Sequence, residues 1–333
     1  MADTRDALFA RLQTVTPATF DALALDVFAY QRAHNPVYAA YLRLIDRYDA
    51  QPTHWSTVPA LPIELFKTHA VQSGDWSAAV EFTSSGTTGQ VPSRHRVRDL
   101  DAYLANARRG FAARYGPVAD YCTLALLPAY LERQGSSLVA MADDFISRSR
   151  YAQSGFFLYD TEALLARLAE CRRANIPVLL IGVSFALLDL AEKHPTPLGE
   201  HVIVMETGGM KGRRRELTRA ELHAALGSAF AQKNIHSEYG MTELLSQAYS
   251  PGEGLFHPAP TLRVRVRDRT DPLSYLPPGR SGALDLIDLA NLDTCSFLAT
   301  QDLGTAYPDG SFRVLGRQDA TDVRGCNLMV SDL

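Results

Sequence analysis

Cysteine is rare and widely spaced in this sequence of 333 residues. The four cysteines include no C-x-x-C pair, and none has a nearby histidine at the spacing of a zinc site. They are Cys122, Cys171, Cys295 and Cys326. In a reducing compartment such residues are mostly small buried hydrophobes, so we predict that role for most of them.

Lysine is also scarce, and arginine supplies nearly all of the positive charge. The four lysines are Lys67, Lys193, Lys211 and Lys233, and none follows Lys233. The formal net charge is −4 and the isoelectric point is about 6.1, which gives no global electrostatic support for binding nucleic acid or an anionic membrane. We therefore expect neither as a partner.

Long hydrophobic runs are missing. The longest, such as "IPVLLIGV", are too short to cross a bilayer. The N-terminus "MADTRDALFARLQ" is acidic and amphipathic, without the basic start and apolar run of a secretory signal. These features predict a cytoplasmic protein.

Hydrophobic residues make up 46% of the chain and charged residues 21%, the composition of a globular protein. A helical pattern in the first sixty or so residues is followed by alternating strands and helices, which predicts an α/β fold with a largely parallel sheet. After residue 255 the pattern changes to short strands divided by proline and glycine. We therefore predict a helical layer plus an α/β core over 1–255, and a β-rich subdomain over 256–333.

One loop is unusually rich in hydroxyl groups and bare backbone amides. "FTSSGTTGQVPSR", Phe82 to Arg94, follows a predicted strand. Such loops bind phosphate because their amides can converge on an anion. It is neither a Walker A motif, since Gln90 follows Gly89, nor a G-x-G-x-x-G fingerprint. A solvated turn is the alternative explanation.

Four further motifs follow in the chain, and the set of five resembles the adenylate-forming superfamily of acyl- and aryl-CoA synthetases, peptide-synthetase adenylation domains and luciferases. The loop is similar to the phosphate loop of that family. "METGGMKG" resembles its adenine-pocket glycines, "SEYGMTE" its Y-G-x-T-E motif, "ATQDLG" its T-G-D-L-G strand and turn, and "LGRQDATDVRG" its hinge motif. The resemblance implies the large N-terminal domain of those enzymes, with parallel-rich sheets, a nucleotide-binding core and the β-rich subdomain ending at the hinge motif.

The resemblance also implies ATP and Mg²⁺ as cofactors and assigns roles to individual residues. The phosphate contacts would be Thr83, Ser84, Ser85, Gly86, Thr87, Thr88 and Gly89. Gly208, Gly209 and Gly240 would lie in the nucleotide site, where Tyr239 would stack on the purine. Thr242 would touch the α-phosphate and Glu243 would hold Mg²⁺. Asp302 would bind the ribose hydroxyls, with Arg317 beside it.

Three of these assignments have a structural alternative. Asp302, before Leu-Gly, could be a turn residue. Tyr239 could be a core residue at a strand end, and Arg317 could form a surface ion pair.

The sequence also departs from the family pattern. Arg94 stands where the phosphate loop usually has lysine, and Gln301 where the later motif usually has glycine. The chain ends at Leu333, a few residues after the hinge motif, so we expect it to lack the usual C-terminal lid domain and its lysine. Charge neutralisation is then expected from Arg94, Arg317 or Arg324, or from a partner protein.

Within the superfamily, the sequence resembles most closely the LuxE-like acyl-protein synthetases, which share this short length. "LPIELFK", "SSLVAM", "SEYGMTELLSQAY" and "RGCNLMV" carry that resemblance. It implies activation of a carboxylic acid, fatty or other, as the acyl-AMP, followed by transfer to a protein cysteine and a partner reductase. Cys326, two residues after Arg324, is the candidate thiol; its alternative is a buried structural residue.

Two other functions stay open. One is a ligase that loads an acid onto a carrier-protein or coenzyme A thiol, and the other is a nucleotide-binding scaffold without catalysis. The segment "LLPAYLERQGSSLVAM" would lie along the acyl pocket by analogy, with Ser136 and Ser137 capping a helix or facing the acid. The run "KGRRRE" is either a solvated helix start or a docking site for an acidic carrier protein.

Overall fold

The computed structural model describes residues 4–84, 91–128, 135–208 and 217–317. The helices in these ranges are α1 (Arg5–Gln13), α2 (Phe20–His34), α3 (Pro36–Leu44), α4 (Leu65–Thr68), α5 (Leu100–Tyr115), α6 (Ser137–Arg148), α7 (Thr161–Arg173), α8 (Ser184–Lys193) and α9 (Arg219–Phe230). The strands are β1 (Leu61–Pro62), β2 (Val80–Thr83), β3 (Arg94–Val97), β4 (Cys122–Leu126), β5 (Gly155–Phe156), β6 (Val178–Val183), β7 (Val202–Thr207), β8 (His236–Tyr239), β9 (Ala248–Ser250), β10 (Leu255–Pro258), β11 (Leu262–Arg267), β12 (Tyr275–Leu276), β13 (Ser281–Asp288), β14 (Phe297–Ala306) and β15 (Phe312–Arg317).

The middle of the chain forms the parallel sheet that the alternating pattern predicts. Strands β5, β4, β6, β7 and β8 lie side by side in that order, and every neighbouring pair is parallel. Strands β4 and β6 are buried along their whole length, as expected for strands that are covered on both faces. The prediction of an α/β fold with a parallel-rich sheet is confirmed.

Antiparallel strands continue this sheet beyond β8. Their order is β9, β10, β15, β14, β13, β11 and β12. The "ATQDLG" motif lies inside strand β14 rather than at a strand and turn, and the pairing register shifts between Leu303 and Gly304. This bulge lets the long strand continue through a sequence that contains a turn-like Asp-Leu-Gly.

The described residues bury two hydrophobic clusters. One contains the parallel strands with the helices α5 to α9, and the other contains the N-terminal helices packed against strands β10 to β15. The N-terminal helical layer therefore shares its core with the β-rich part of the chain. The division at residue 255 stays a prediction, and the cores group the chain differently from it.

Local capping explains where several helices begin. Asp160 caps α7, because its carboxylate accepts the Ala163 amide. Of the two roles suggested for Ser136, capping a helix or facing the acid, the structure shows the first: its hydroxyl caps α6. Thr218 caps α9 in a reciprocal pair with Glu221. Among the described helices, none is both long enough and apolar enough to span a membrane.

Candidate nucleotide site

The two ends of the hydroxyl-rich loop meet at the antiparallel pair β2 and β3. The Ser84 amide donates to the Ser93 carbonyl at 3.1 Å, and the Ser93 amide donates to the Ser84 hydroxyl at 2.9 Å. The Thr83 amide donates to the Gly135 carbonyl at 2.7 Å, which ties the loop to the start of α6. Thr83 and Ser84 thus lie at a closed loop base. Ser85, Gly86, Thr87, Thr88 and Gly89 lie outside the described residues.

The segment that follows strand β8 carries Thr242 and Glu243, and three buried side chains hold its backbone. The His95 ring donates from Nδ1 to the Thr242 carbonyl at 2.8 Å, because only a protonated nitrogen can donate to a carbonyl. Burial lowers the pKa of His95 to about 4, so the ring is neutral. The Asn291 amide donates to the Glu243 carbonyl at 2.7 Å.

Asp288 fixes the continuation of the same segment. Its carboxylate accepts the backbone amides of Leu245 and Ser246 at 2.8 and 2.9 Å and the Ser246 hydroxyl at 2.5 Å. Burial raises the pKa of Asp288 to about 6, although these donors favour the ionised form. A rigid frame of buried polar groups therefore positions Thr242 and Glu243.

The Glu243 side chain lies between the loop base and the last described strand. Burial raises the pKa of its carboxyl group, while a hydrogen bond from the Ser93 hydroxyl and the positive charges of Arg317 and Lys67 oppose that rise. One carboxylate is thus in contact with the phosphate-loop base and lies near two cations. This environment suits a group that binds a cation and faces an anion.

Asp302 and Tyr239 are joined directly. The Tyr239 hydroxyl donates to Asp302 Oδ2 at 2.7 Å, and Arg317 stands opposite Asp302 in the β14 and β15 pair. Burial raises the pKa of Asp302, and the Tyr239 hydrogen bond and the nearby Arg317 partly offset this. Asp302 is therefore a strand residue in a polar cluster rather than a turn residue.

The Tyr239 ring is part of the hydrophobic core, which was the alternative to a purine-stacking role. It lies 5.7 Å from the Phe256 ring and 5.5 Å from the Phe312 ring, measured between centroids, and is 9% exposed. Burial and the neighbouring Asp302 carboxylate raise its pKa well above the usual value. Stacking on a purine stays a prediction for this residue.

Strand β7 leads into the glycines that the sequence associates with adenine. Gly208 follows the strand at a φ of 70°, in the left-handed region that favours glycine. The Ser184 hydroxyl lies against both the Gly208 carbonyl and the Glu206 carboxylate. Gly209 and the "KGRRRE" run lie outside the described residues.

Arg94 lies at the loop base, next to Ser93, and its role stays a prediction. It is exposed at the start of β3, opposite Thr83. Its guanidinium lies 4.0 Å from the Glu81 carboxylate. The other arginine candidate, Arg324, and the candidate thiol Cys326 lie outside the described residues. Arg317, exposed at the end of β15, pairs with Asp302 across the strands and is close enough to lower the pKa of the Glu243 and Asp302 carboxyls.

Sequence reasoning missed two basic residues at this site. Lys67, in α4, is close enough to Glu243 to lower the pKa of its carboxyl. Its neighbour Phe66 packs on the His95 ring with centroids 5.3 Å apart. Arg219 lies 3.5 Å from Glu206 and donates to the Val314 carbonyl at 3.0 Å. The "LPIELFK" motif contained the signal for Lys67, whereas Arg219 looked like an ordinary helix residue.

The donor set fits a magnesium nucleotide better than a metal held by protein alone. The described ranges contain no group of three histidine, cysteine or acidic residues placed to hold a metal ion. Mg²⁺ usually takes one or two carboxylates and completes its shell with water and phosphate oxygens. The buried carboxylate of Glu243, in contact with the base of the hydroxyl-rich loop, meets that requirement.

Comparison with solved structures shows the same fold. ATP-bound MatB from Rhodopseudomonas palustris has 19% identity and a TM-score of 0.54 over 75% of this chain and 49% of its own. O-succinylbenzoate coenzyme A synthetase (MenE) from Bacillus subtilis, with ATP and magnesium, has 17% identity and a TM-score of 0.52 over 73% and 50%. Apo MatB from R. palustris has 17% identity and a TM-score of 0.52 over 95% and 62%.

These structural neighbours are adenylate-forming enzymes, and the shared part is their N-terminal domain. The chain spans about half the length of the ATP-bound structures that it matches. No family model and no curated protein matches the sequence. At these identities the likeness establishes the fold, which is the fold that the five motifs predicted.

Proposed function

We propose that this protein activates a carboxylic acid with ATP and Mg²⁺, forming an acyl-adenylate and pyrophosphate. One observation carries the proposal. Three motifs that are far apart in the sequence meet in space, through the Ser84–Ser93 base, Glu243 and the Tyr239–Asp302 hydrogen bond, with Arg317 opposite Asp302 and close enough to lower the pKa of both carboxyls. The ATP- and magnesium-containing structures that share the fold support the same reading.

The residues would divide the binding of ATP between them. The loop hydroxyls and amides, beginning at Thr83 and Ser84, would bind the phosphates, and Asp302 would accept hydrogen bonds from the ribose. Gly208 would leave room for adenine beside the Tyr239 edge. The bound Mg²⁺, held by Glu243 and phosphate oxygens, would neutralise charge on the triphosphate.

Activation requires that the acid carboxylate attack the α-phosphorus in line with the departing pyrophosphate. The bond from the α-phosphorus to the bridging oxygen breaks, and the new bond joins the carboxylate oxygen to phosphorus. Thr242 would orient the α-phosphate, since His95 and Asn291 hold its segment rigidly. Positioning and charge neutralisation are the main contributions that such a reaction needs from a protein.

Two described cations can supply part of the charge neutralisation that a lid lysine gives in typical family members. Arg317 lies beside Asp302 and Glu243, and Lys67 lies near Glu243. We place Lys67 in this role ahead of Arg94, because the Arg94 side chain lies with Glu81. Arg324 and a partner protein stay as further candidates.

We further propose that the acyl group passes to a protein thiol, as in acyl-protein synthetases. The three described cysteines are poor acceptors because all are buried. Burial raises the pKa of Cys122 and of Cys295 to about 12 and raises the pKa of Cys171. Cys326 of this chain, or a cysteine or carrier thiol of a partner, is therefore the proposed acceptor.

A coenzyme A thiol is the second candidate acceptor, favoured by the coenzyme A synthetase among the structural neighbours. Radiolabelled acid, ATP and Mg²⁺ would be incubated with the protein alone and then with coenzyme A or a carrier protein. Thioester label on wild type that is lost in Cys326→Ser supports the protein thiol. Label that appears only on coenzyme A contradicts it.

Acid-dependent exchange of pyrophosphate into ATP tests the activation step itself. We expect exchange with at least one acid of a panel of aliphatic, aromatic and amino acids, and we expect it to require Mg²⁺. ATP binding without exchange for any acid would instead indicate the nucleotide-binding scaffold.

A further inference from the structure

The two faces of strand β8 differ in chemistry. Tyr239 points to the face with Phe256 and Phe312, where the nucleotide is proposed to bind. Because successive strand residues alternate, Glu238 points to the opposite face. There the Thr207 hydroxyl donates to Glu238 Oε2 at 2.5 Å, and Glu238 is 8% exposed. A buried carboxyl group thus lies directly behind the nucleotide side of the strand.

The Glu238 carboxyl occupies the place that a side chain at residue 240 would need. A Cβ atom at Gly240 would lie 2.5 Å from Glu238 Oε1 and 3.7 Å from Gln247 Cγ. Any larger residue would therefore collide with the carboxylate. Tyr239 pairs with Ala248 in the β8 and β9 ladder, so Gln247 lies next to Gly240 across the strands. Glu238 and Gln247 therefore both lie against Gly240.

Gln247 is buried with part of its hydrogen-bonding capacity unused. It is 4% exposed, and its Oε1 atom has no hydrogen-bond partner among the described residues. An unsatisfied buried acceptor costs about 1–3 kcal/mol, so such groups usually have a partner in the working state of a protein. A bound molecule that offers an N–H or O–H group would satisfy it.

The surroundings of Glu238 are aromatic rather than cationic. Burial and the nearby Glu206 raise the pKa of Glu238 to about 7, against the Thr207 hydrogen bond. Burial and, after it, the charge of Glu238 raise the pKa of the Tyr103 and Tyr249 hydroxyls, and Tyr249 is the residue opposite Glu238 in the β8 and β9 pair. The carboxyl accepts the Thr207 hydroxyl, and a ligand donor would add to that contact.

Glu238 and Gln247 lie on the side of the strand toward which the acid substrate would extend. Thr242 follows Glu238 by four residues, and the proposed reaction requires the acid carboxylate at the α-phosphate beside Thr242. The rest of the acid must extend away from the nucleotide, toward the face covered by α5 and α6. Tyr249 on that face points its hydroxyl at Met141 of α6, 3.9 Å from the sulfur.

We infer that Glu238 and Gln247 select an acid that carries a hydroxyl or amino group on its chain or ring, in preference to the unsubstituted acid. This inference rests on the proposed activation of a carboxylic acid. Gln247 Oε1 would accept a hydrogen bond from that group, and the Glu238 carboxyl would accept a second. A site built to hydrogen-bond a substituent rejects analogues that lack it, because its own polar groups then stay unpaired.

Matched acids test the inference on wild-type protein. The sets are propionic, 3-hydroxypropionic and 3-aminopropionic acid; benzoic, 4-hydroxybenzoic and 4-aminobenzoic acid; and octanoic, 8-hydroxyoctanoic and 8-aminooctanoic acid. Pyrophosphate exchange gives kcat/KM, and calorimetry gives the Kd of each acid with a non-hydrolysable ATP analogue and Mg²⁺ present. In at least one set we expect a substituted acid to be preferred over its parent by about 100-fold or more in kcat/KM.

Two variants connect that preference to the residues. Gln247→Leu is expected to lower the preference below about 10-fold. Glu238→Gln removes a negative charge. It is therefore expected to weaken binding of the amino-substituted acid of each set more than binding of the hydroxy-substituted acid. Gln51→Leu and Glu162→Gln, at exposed positions, are the matched controls and should leave the preference unchanged. Circular dichroism and Tm would establish that each variant is folded.

The outcomes separate this inference from the function on which it rests. Exchange in which every parent acid equals its substituted partners overturns the inference and leaves acid activation intact. A preference that survives in folded Gln247→Leu also overturns it, since the pair would then be only structural. Absence of exchange with all nine acids and with the wider panel, despite ATP binding, overturns the proposed function and the inference together.

Discussion

The two hydrophobic cores of the molecule are built in different ways. The core around the parallel strands is built on long hydrophobic runs, and β6 contributes six consecutive buried residues, although buried carboxyl groups such as Glu206 and Glu238 also lie on its strands. The core shared by the N-terminal helices and the later strands also contains buried charged and amide groups, including Arg265, Asp285 and Gln31. The hydrophobic pattern reveals the strands of the first core, whereas the second is held together by hydrogen bonds between residues that are far apart in the sequence.

The polar contacts of the second core connect distant parts of the chain. Arg265 binds Asp285 at 3.1 Å and donates to the Val58 carbonyl at 2.7 Å. The Gln31 amide donates to the Asn291 carbonyl at 2.9 Å, and Asn291 in turn holds Glu243. The candidate site thus depends on the core that the hydrophobic pattern alone does not specify.

The largest effect is expected at Asp285, which pairs with Arg265 and Arg267. Asp285→Ala leaves two guanidinium groups without their carboxylate in a buried place and should lower the free energy of unfolding by about 3–5 kcal/mol. Urea denaturation measures it, with exposed Asp49→Ala as the control, expected within about 0.5 kcal/mol of wild type. A loss below about 1 kcal/mol would remove the distinction between the cores.

The aliphatic core should respond through cavity formation instead. Leu180 is fully buried in β6, and Leu180→Ala should lower the free energy of unfolding by about 2–5 kcal/mol. Leu180→Met keeps the volume and should cost less than about 1.5 kcal/mol under the same urea titration. Equal losses for the two variants would mean that packing volume does not govern this core.

At the site, Glu243→Gln separates activity from stability. It removes the charge proposed to hold Mg²⁺ and should lower kcat for pyrophosphate exchange by about 100-fold or more. Because burial already disfavours the charged form, the free energy of unfolding should change by less than about 1 kcal/mol. Exchange at the wild-type rate would show that Glu243 is not the metal ligand.

Glu238 should give a pH dependence of stability with a definite sign. Its pKa in the folded protein, about 7, is above the unfolded value, so the folded state binds more protons between about pH 4.5 and pH 7. Its contribution is fully present below that window and is lost as the pH rises through it. Relative to Glu238→Gln, wild type should lose about 1–3 kcal/mol between pH 5 and pH 8, measured by denaturation at each pH. A constant difference would contradict the raised pKa.

The smallest effect is expected at Lys67. Lys67→Met keeps the aliphatic stem but removes the charge near Glu243, and it should raise the KM for ATP by about 5- to 10-fold. Lys193→Met, at the end of α8, is the matched control and should leave KM unchanged. Identical kinetics for both variants would exclude Lys67 from the phosphate site.

Much of the fold could be predicted from the sequence because periodicity reports burial. The runs "YCTLALLP" and "PVLLIGV" became strands β4 and β6, and the alternation of strands with helices gave the parallel order. "GFFLYD" formed only the two-residue strand β5, since a short apolar run does not fix strand length. That the N-terminal helices share a core with the β-rich part depends on contacts over 250 residues apart, such as Gln31 with Asn291, which no local pattern contains.

Site residues could be predicted where a sequence motif contains them, but not where their role depends on packing. Glu243, Asp302 and Arg317 were found from their motifs, and the structure brings them together. Lys67 and Glu238 lie inside quoted motifs but received no role from them, because a lysine on a short helix and an acid in a strand look like surface residues until their neighbours are known. Burial of Glu238 behind Tyr239 is a consequence of the sheet, not of the motif.

Magnesium-dependent pyrophosphate exchange across the acid panel, compared between wild type and Asp302→Ala, tests the central claim most directly. The account predicts exchange that requires both an acid and Mg²⁺ in wild type, and a rate at least about 10-fold lower in Asp302→Ala because a buried hydrogen-bonding group for the ribose is lost. No exchange with any acid by folded, ATP-binding wild-type protein would contradict it.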